Sequence, residues 1–108
     1  MKLARLVSLL GVIVMGAAIA NGFINGDFFG EGRQLAAMPW GIVSLVDLYT
    51  GFVLFSMWII YREASLPAAV AWTIAMMLLG FFAGALYAFL ALGASNGDWR
   101  RFWLGKHA

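Results

Sequence analysis

"PWGIVSLVDLYTGFVLFSMWIIYRE", Pro39 to Glu63, decides the fold. From Pro39 to Tyr61 one charge alone, Asp47, interrupts an apolar run. A hydrocarbon core of about 30 Å takes roughly 20 helical residues to cross, so this stretch is long enough to span one. Pro39 suits a first helical turn, where its missing N–H has no partner in any case. Trp40 at one end and Tyr61 with Arg62 and Glu63 at the other occupy the places of interfacial anchors.

Two more apolar runs flank it, at 3–24 and 68–92, the latter entered through Pro67. The expectation is a single all-α membrane domain over 1–108, with three transmembrane helices at about 3–24, 40–61 and 68–92. The short "REASL" makes helices two and three an antiparallel hairpin. "NGDFFGEGRQLAAM", glycine-rich and charged, reads as a loop, and 95–108 as an amphipathic interfacial tail.

Composition agrees. The chain is 64% hydrophobic and 11% charged, against roughly 25% charged in soluble domains, and its mean hydropathy is +0.91. The implied partners are the lipid bilayer and a homo-oligomer or another membrane protein, because 108 residues enclose little core of their own. The seven basic residues form no stripe fit for nucleic acid. No cysteine is present, which removes disulfides and thiolate metal sites. The single histidine, His107, lies next to the end, so no cofactor or metal site is expected.

The start, "MKLARLVSLLGVIVMGAAIANG", shares a basic opening, an apolar middle and Ala18-Ile19-Ala20 with cleavable signal peptides. A first transmembrane helix is the favoured reading because apolar character resumes at Phe23. The expected location is a bacterial inner membrane with the N-terminus inside. That choice places Lys2, Arg5 and Arg62 inside and Arg33, Arg100, Arg101 and Lys106 outside, three against four, so the flanks of the first helix decide it.

Asp47 is the residue in need of an explanation. At 1.5 Å per residue it lies about 10 Å deeper than Trp40, where a carboxylate costs up to about 2.5 to 3.5 kcal/mol. It is therefore expected to face protein or water. Its helical face gathers Trp40, Val43, Ser44, Thr50, Gly51, Leu54 and Trp58, with Tyr49 on the far side. On helix three, Gly80 and Gly84 form a small-xxx-small packing surface. Asp47 should lie level with them, with the Tyr87 hydroxyl in reach. Asp47, Ser44, Thr50 and Tyr87 are thus the candidate polar site, and Gly51, Gly80 and Gly84 the packing residues. Asp47 is a locking residue of this hairpin, a protonatable, ion-binding group, or an intermolecular contact.

"PWGIVSLVDLYTGF", "WIIYRE", Trp72, Gly80 and Tyr87 resemble a small integral-membrane family of bacteria and plants known only as a domain of unknown function. Its recurring pattern is P-W, V-D-x-Y and W-x-x-[YF]-[RK]-E, followed by W, G and Y. The resemblance runs from about Arg33 to Leu92 and marks Pro39, Trp40, Asp47, Tyr49, Trp58, Arg62, Glu63 and Tyr87. It implies a multi-span membrane protein and no activity.

Enzyme chemistry is not legible. The serines have no neighbouring base beyond Asp47, and Asp27 with Glu31 lacks calcium-loop spacing. In the tail "DWRRFWLGKHA", Trp99, Phe102 and Trp103 fall on one side of a short helix, an arrangement suited to an interface. Two function classes follow: a non-enzymatic structural or accessory component, or a minimal proton- or cation-linked transporter or channel that works as an oligomer through Asp47.

Overall fold

The computed structural model describes residues 1–107, so Ala108 at the end of the tail lies outside the described residues. The elements are α1 (Lys2–Asn25), α2 (Phe28–Ala37), α3 (Pro39–Arg62), α4 (Leu66–Leu79), α5 (Phe81–Ala94) and α6 (Trp99–Leu104), closed by a 3₁₀ turn at Gly105–His107. The all-α class expected from the sequence holds. Two helices, α1 and α3, are long and apolar enough to cross a membrane.

The expected third helix over 68–92 is not continuous. Gly80, at φ 62° and ψ −140°, divides it into α4 and α5. Only a residue without a Cβ adopts that conformation freely. The Gly80 N–H closes α4 on the Met76 carbonyl at 2.9 Å, and its own carbonyl opens α5 by accepting from Ala83 and Gly84. The chain then turns back on itself. Trp72 and Tyr87 have ring centroids 5.1 Å apart, whereas fifteen residues of straight helix would separate them by about 22 Å.

α5 in turn lies antiparallel to α1. The Gly11 Cα approaches Ala85, Gly16 approaches the Phe82 ring, and Arg5 reaches Gly93 and the Phe89 ring. The start of α1, the end of α3, the outer ends of α4 and α5, and α6 therefore gather at one end of a molecule 44 Å long. Asn25, α2 and Pro39 lie at the other. The passage expected of 68–92, from one end to the other, is replaced by entry and return at the same end.

The loop expected between the first two spans contains a helix. Asp27 caps α2 by accepting from the Gly30 N–H at 3.2 Å, while Glu31 reaches back to the Asp27 N–H at 3.3 Å. This reciprocal cap overcomes the cost of Gly30 and Gly32 within the helix. α2 then packs on the start of α3, where Gly41 is buried because any Cβ there would overlap the Leu35 carbonyl.

The core is the space that α3 shares with the α4–α5 hairpin. Phe52, Ile59, Met76, Ala83, Tyr87 and Leu92 are buried there, and Phe102 closes it from α6. Aromatic rings fill the gap: Phe52 and Phe55 each meet Phe81, and Trp58 meets Tyr87 edge-on at 5.7 Å. α1, by contrast, buries no residue.

Candidate functional site

The polar cluster of this fold forms where α3 ends. Arg62 and Glu63 sit at the turn into α4, and the return of α5 brings Tyr87 between them. The Tyr87 hydroxyl accepts from Arg62 Nη1 at 2.8 Å and donates to Glu63 Oε1 at 2.6 Å. Arg62 and Glu63 are themselves 3.7 Å apart. The Arg62 side chain is 10% exposed and lies against the Trp58 and Tyr87 rings. A guanidinium so enclosed requires acceptors in several directions.

The chain end supplies the others. Arg62 Nε donates to the Phe102 carbonyl at 2.6 Å and Nη2 to the Arg101 carbonyl at 3.4 Å. One helical turn earlier, Trp58 Nε1 donates to the Trp103 carbonyl at 3.0 Å. α6 is N-capped by Asp98, which accepts from Arg100 at 2.9 Å. It continues into Gly105, at φ 54°, whose missing side chain leaves room for the Arg62 backbone. Arg62 thus joins α3, α5 and α6 through one side chain. Beside it a polar pocket of about 430 Å³ is lined by Arg62, Glu63, Ser95, Arg101 and Lys106 among others.

The family model described as "Protein of unknown function (DUF1475)" matches residues 3–96. The chain belongs to that family. No curated protein and no solved structure matches it. The DUF1475 match covers Arg62, Glu63 and Tyr87, whereas α6, to which Arg62 is bonded, lies beyond the matched residues.

Within this DUF1475 chain the residues expected to form one polar site are separated. Asp47 is exposed, as are Ser44 and Thr50. Ser44 bonds back to the Trp40 carbonyl at 3.0 Å. Tyr87 is buried and lies with Glu63 and Arg62, not with Asp47. The reason is which face of α3 turns inward. Tyr49, Phe52, Phe55, Ser56 and Ile59 meet the hairpin, with the Tyr49 hydroxyl 3.5 Å from the Met77 carbonyl. Asp47 lies on the opposite side with Val43, Thr50 and Leu54.

Of the packing glycines, two approach rings across the seam between α3 and the hairpin, and the third packs inside the hairpin. Gly51 approaches Phe81, Gly80 approaches Phe52 and Gly84 is buried beside Met76 and Phe81. Among the anchors, Trp40, Trp99 and Trp103 are exposed, at 80%, 45% and 55%. Tyr61 stacks on His107 with centroids 4.2 Å apart. The role of Arg62 in holding the tail is not legible in the sequence, because it depends on carbonyl groups 39 to 40 residues away.

Proposed function

We propose that this DUF1475 chain is a small polytopic membrane protein with a non-enzymatic structural or accessory role. The observation supporting the membrane reading is α1, a 24-residue apolar helix of which no residue is buried inside the chain. Apolar surface of that extent needs a covering of lipid or partner protein. The structural role rests on the Arg62–Glu63–Tyr87 cluster, whose hydrogen bonds tie three helices together.

In this reading α1 and α3 cross the bilayer, and α4–α5 enters from the Arg62 end and turns back at Gly80. The charge distribution then supports one orientation. Lys2, Arg5, Arg62, Arg100, Arg101 and Lys106 fall on one side, while Arg33 alone among the Lys and Arg residues falls on the other, with Asp27 and Glu31. By the positive-inside rule both ends of the chain face the cytoplasm. This favours N-in with C-in, where the three-span expectation had C-out.

A second reading, proton- or cation-linked transport, is favoured by one observation: Asp47 is exposed on an apolar face of α3. A carboxyl group there would have to be met by a second copy or a partner before it could line any path. The scaffold reading asks of such a contact only that it cover the carboxyl group.

The test is extraction and flotation of the expressed chain, followed by purification in mild detergent with identification of what remains bound. Membranes that retain the chain through alkaline carbonate, together with a reproducible stoichiometric protein partner, support the accessory role. Release by carbonate would sink the membrane reading, and pH-driven flux in liposomes from the purified chain alone would replace scaffold by transporter.

A further inference from the structure

The two ends of the molecule differ in how their charges are met. At the Arg62 end both carboxylates are engaged within the chain. Glu63 accepts from the Tyr87 hydroxyl and faces Arg62. Asp98 caps α6 through one oxygen, and its other oxygen lies 3.8 Å from Arg101. Lys2, Arg5, Arg100 and Lys106 remain at that end with no carboxylate partner among the described residues. At the opposite end Asp27 and Glu31 outnumber Arg33, and none of the three is in an ion pair among the described residues. The Arg62 end alone therefore presents cations that nothing in the described chain neutralises.

α6 holds two of these cations at a fixed level. Its Phe102 ring is buried, and the carbonyls of Arg101, Phe102 and Trp103 accept from Arg62 and Trp58, so the helix is pinned to the last turns of α3. Trp99 and Trp103 stack with centroids 6.5 Å apart and are both exposed. Indole rings have an apolar body and one N–H donor, which suits the head-group level of a bilayer. Arg100 and Lys106 are exposed on the same tail, and Arg5 reaches that rim from α1 beside Gly93. Exposed indoles and cations, fixed where an apolar span ends, are arranged to lie along a head-group layer. A soluble polyanion would be met by the cations alone; the indole pair beside a helix of membrane length favours lipid.

We infer that the Arg62 end binds the anionic phospholipids of the leaflet in which it sits, through Lys2, Arg5, Arg100 and Lys106, with Trp99 and Trp103 among the head groups. The inference rests on the membrane reading above and names the lipid class that the chain selects. It differs from orientation, because the positive-inside rule concerns insertion, whereas this preference holds at equilibrium in the inserted chain. Each Lys or Arg held near an anionic surface is worth about fivefold in affinity.

The side chains of Lys2, Arg100 and Lys106 make no hydrogen bond or ion pair among the described residues, so K2Q/R100Q/K106Q removes charge without loosening the Arg62 cluster. The experiment is native mass spectrometry of the full chain in mild detergent, titrated with phosphatidylglycerol and with phosphatidylcholine of the same tails. The expected result is phosphatidylglycerol bound about tenfold or more tightly than phosphatidylcholine, a ratio that K2Q/R100Q/K106Q lowers by about fivefold or more. R33Q, at the opposite end, should leave the ratio as it is. If the triple variant does not fold, R100Q/K106Q is read in its place and should lower the ratio in the same direction. Equal binding of the two lipids by the wild type, a ratio unchanged in the charge-stripped variant, or a ratio lost in R33Q overturns the proposal. Polyglutamate that binds the wild type and is not displaced by phosphatidylglycerol assigns the surface to an acidic protein and overturns it as well. Alkaline carbonate extraction reads the membrane proposal separately: a chain that membranes retain yet that binds both lipids equally loses only this surface.

Discussion

Tyr87 donates its hydroxyl to Glu63 Oε1 at 2.6 Å, across 24 residues of sequence, and so fixes how far α5 returns along α3. The bond is made only because Gly80 reverses the chain. Both partners are half or more enclosed, and the same hydroxyl oxygen accepts from Arg62. Removing it leaves a charged donor and a charged acceptor each short of a partner. Y87F is therefore expected to lower stability by about 1 to 3 kcal/mol, the cost of buried groups left unsatisfied. Thermal unfolding in detergent checks this, and a melting temperature unchanged from wild type would mean that the cluster does not hold the hairpin.

Gly105 tests the attachment of the tail at its contact with Arg62, whose backbone and Cγ a Cβ there would meet. Its φ of 54° and ψ of −116° lie where other residues are strained, and a Cβ there would come within 2.5 Å of the Arg62 carbonyl oxygen. G105A should cost about 1 to 3 kcal/mol of local stability, displayed as release of α6. Limited proteolysis of the chain in detergent should cut at Arg100 or Arg101 several times faster in the variant, while α1 to α5 remain resistant. Equal cutting rates would show the tail to be held by something other than the Arg62 and Trp58 bonds.

The return of α5 has a topological consequence. Ser65 N-caps α4 and Asn96 follows α5, and both lie at the Arg62 end. In the proposed membrane arrangement, cysteines placed at Ser65 and Asn96 label from the same side, and a cysteine at Asn25 labels from the opposite side. Impermeant maleimide applied to right-side-out and inverted vesicles reads this directly. Opposite labelling of Ser65 and Asn96 would restore a straight third span and exclude a turn at Gly80.

The two long helices are legible in the sequence, whereas α2, the division of 68–92 and the faces on which helices meet are not. Apolar length located α1 and α3 within one or two residues of their ends, and Pro39 and the "REASL" turn marked where α3 starts and where α4 follows. Gly80 reads as a packing glycine because φ is not visible in a letter. The same residue type serves a close helix contact and a reversal, and only the second divides 68–92. α3 was harder for a different reason. It is apolar on nearly all sides, so no face is marked as inward by hydrophobicity. The cost of a carboxylate in lipid points Asp47 to the interior. The aromatic face of Tyr49, Phe52 and Phe55 filled the space against α4 and α5 instead, since large rings bury more area than a carboxylate with small neighbours. The Arg62 cluster was visible as "WIIYRE" and as Tyr87, but its partnership with the tail required the fold.

Asp47 poses the last question, now in a sharper form. Exposed on α3 with Val43, Thr50 and Leu54, it makes no hydrogen bond or salt bridge among the described residues. D47N should therefore change the stability of the isolated chain by no more than about 0.5 kcal/mol, as for surface substitutions outside any network. Within a bilayer an exposed carboxyl on that face is costly unless another helix meets it, so assembly is where the substitution should act. If Asp47 hydrogen-bonds across an interface, the D47N amide can still hydrogen-bond and the assembly survives, while D47L weakens it. If Asp47 carries ions, D47N keeps the assembly and abolishes flux in reconstituted protein. Analytical ultracentrifugation in detergent, with flux measured on the same samples after reconstitution, separates the two. A D47L chain that is monomeric beside an oligomeric wild type, with no flux in either, assigns Asp47 to assembly. Wild-type flux lost in D47N at unchanged oligomeric state assigns it to transport, and a monomeric wild type without flux leaves α3 with no partner on that face and removes both roles.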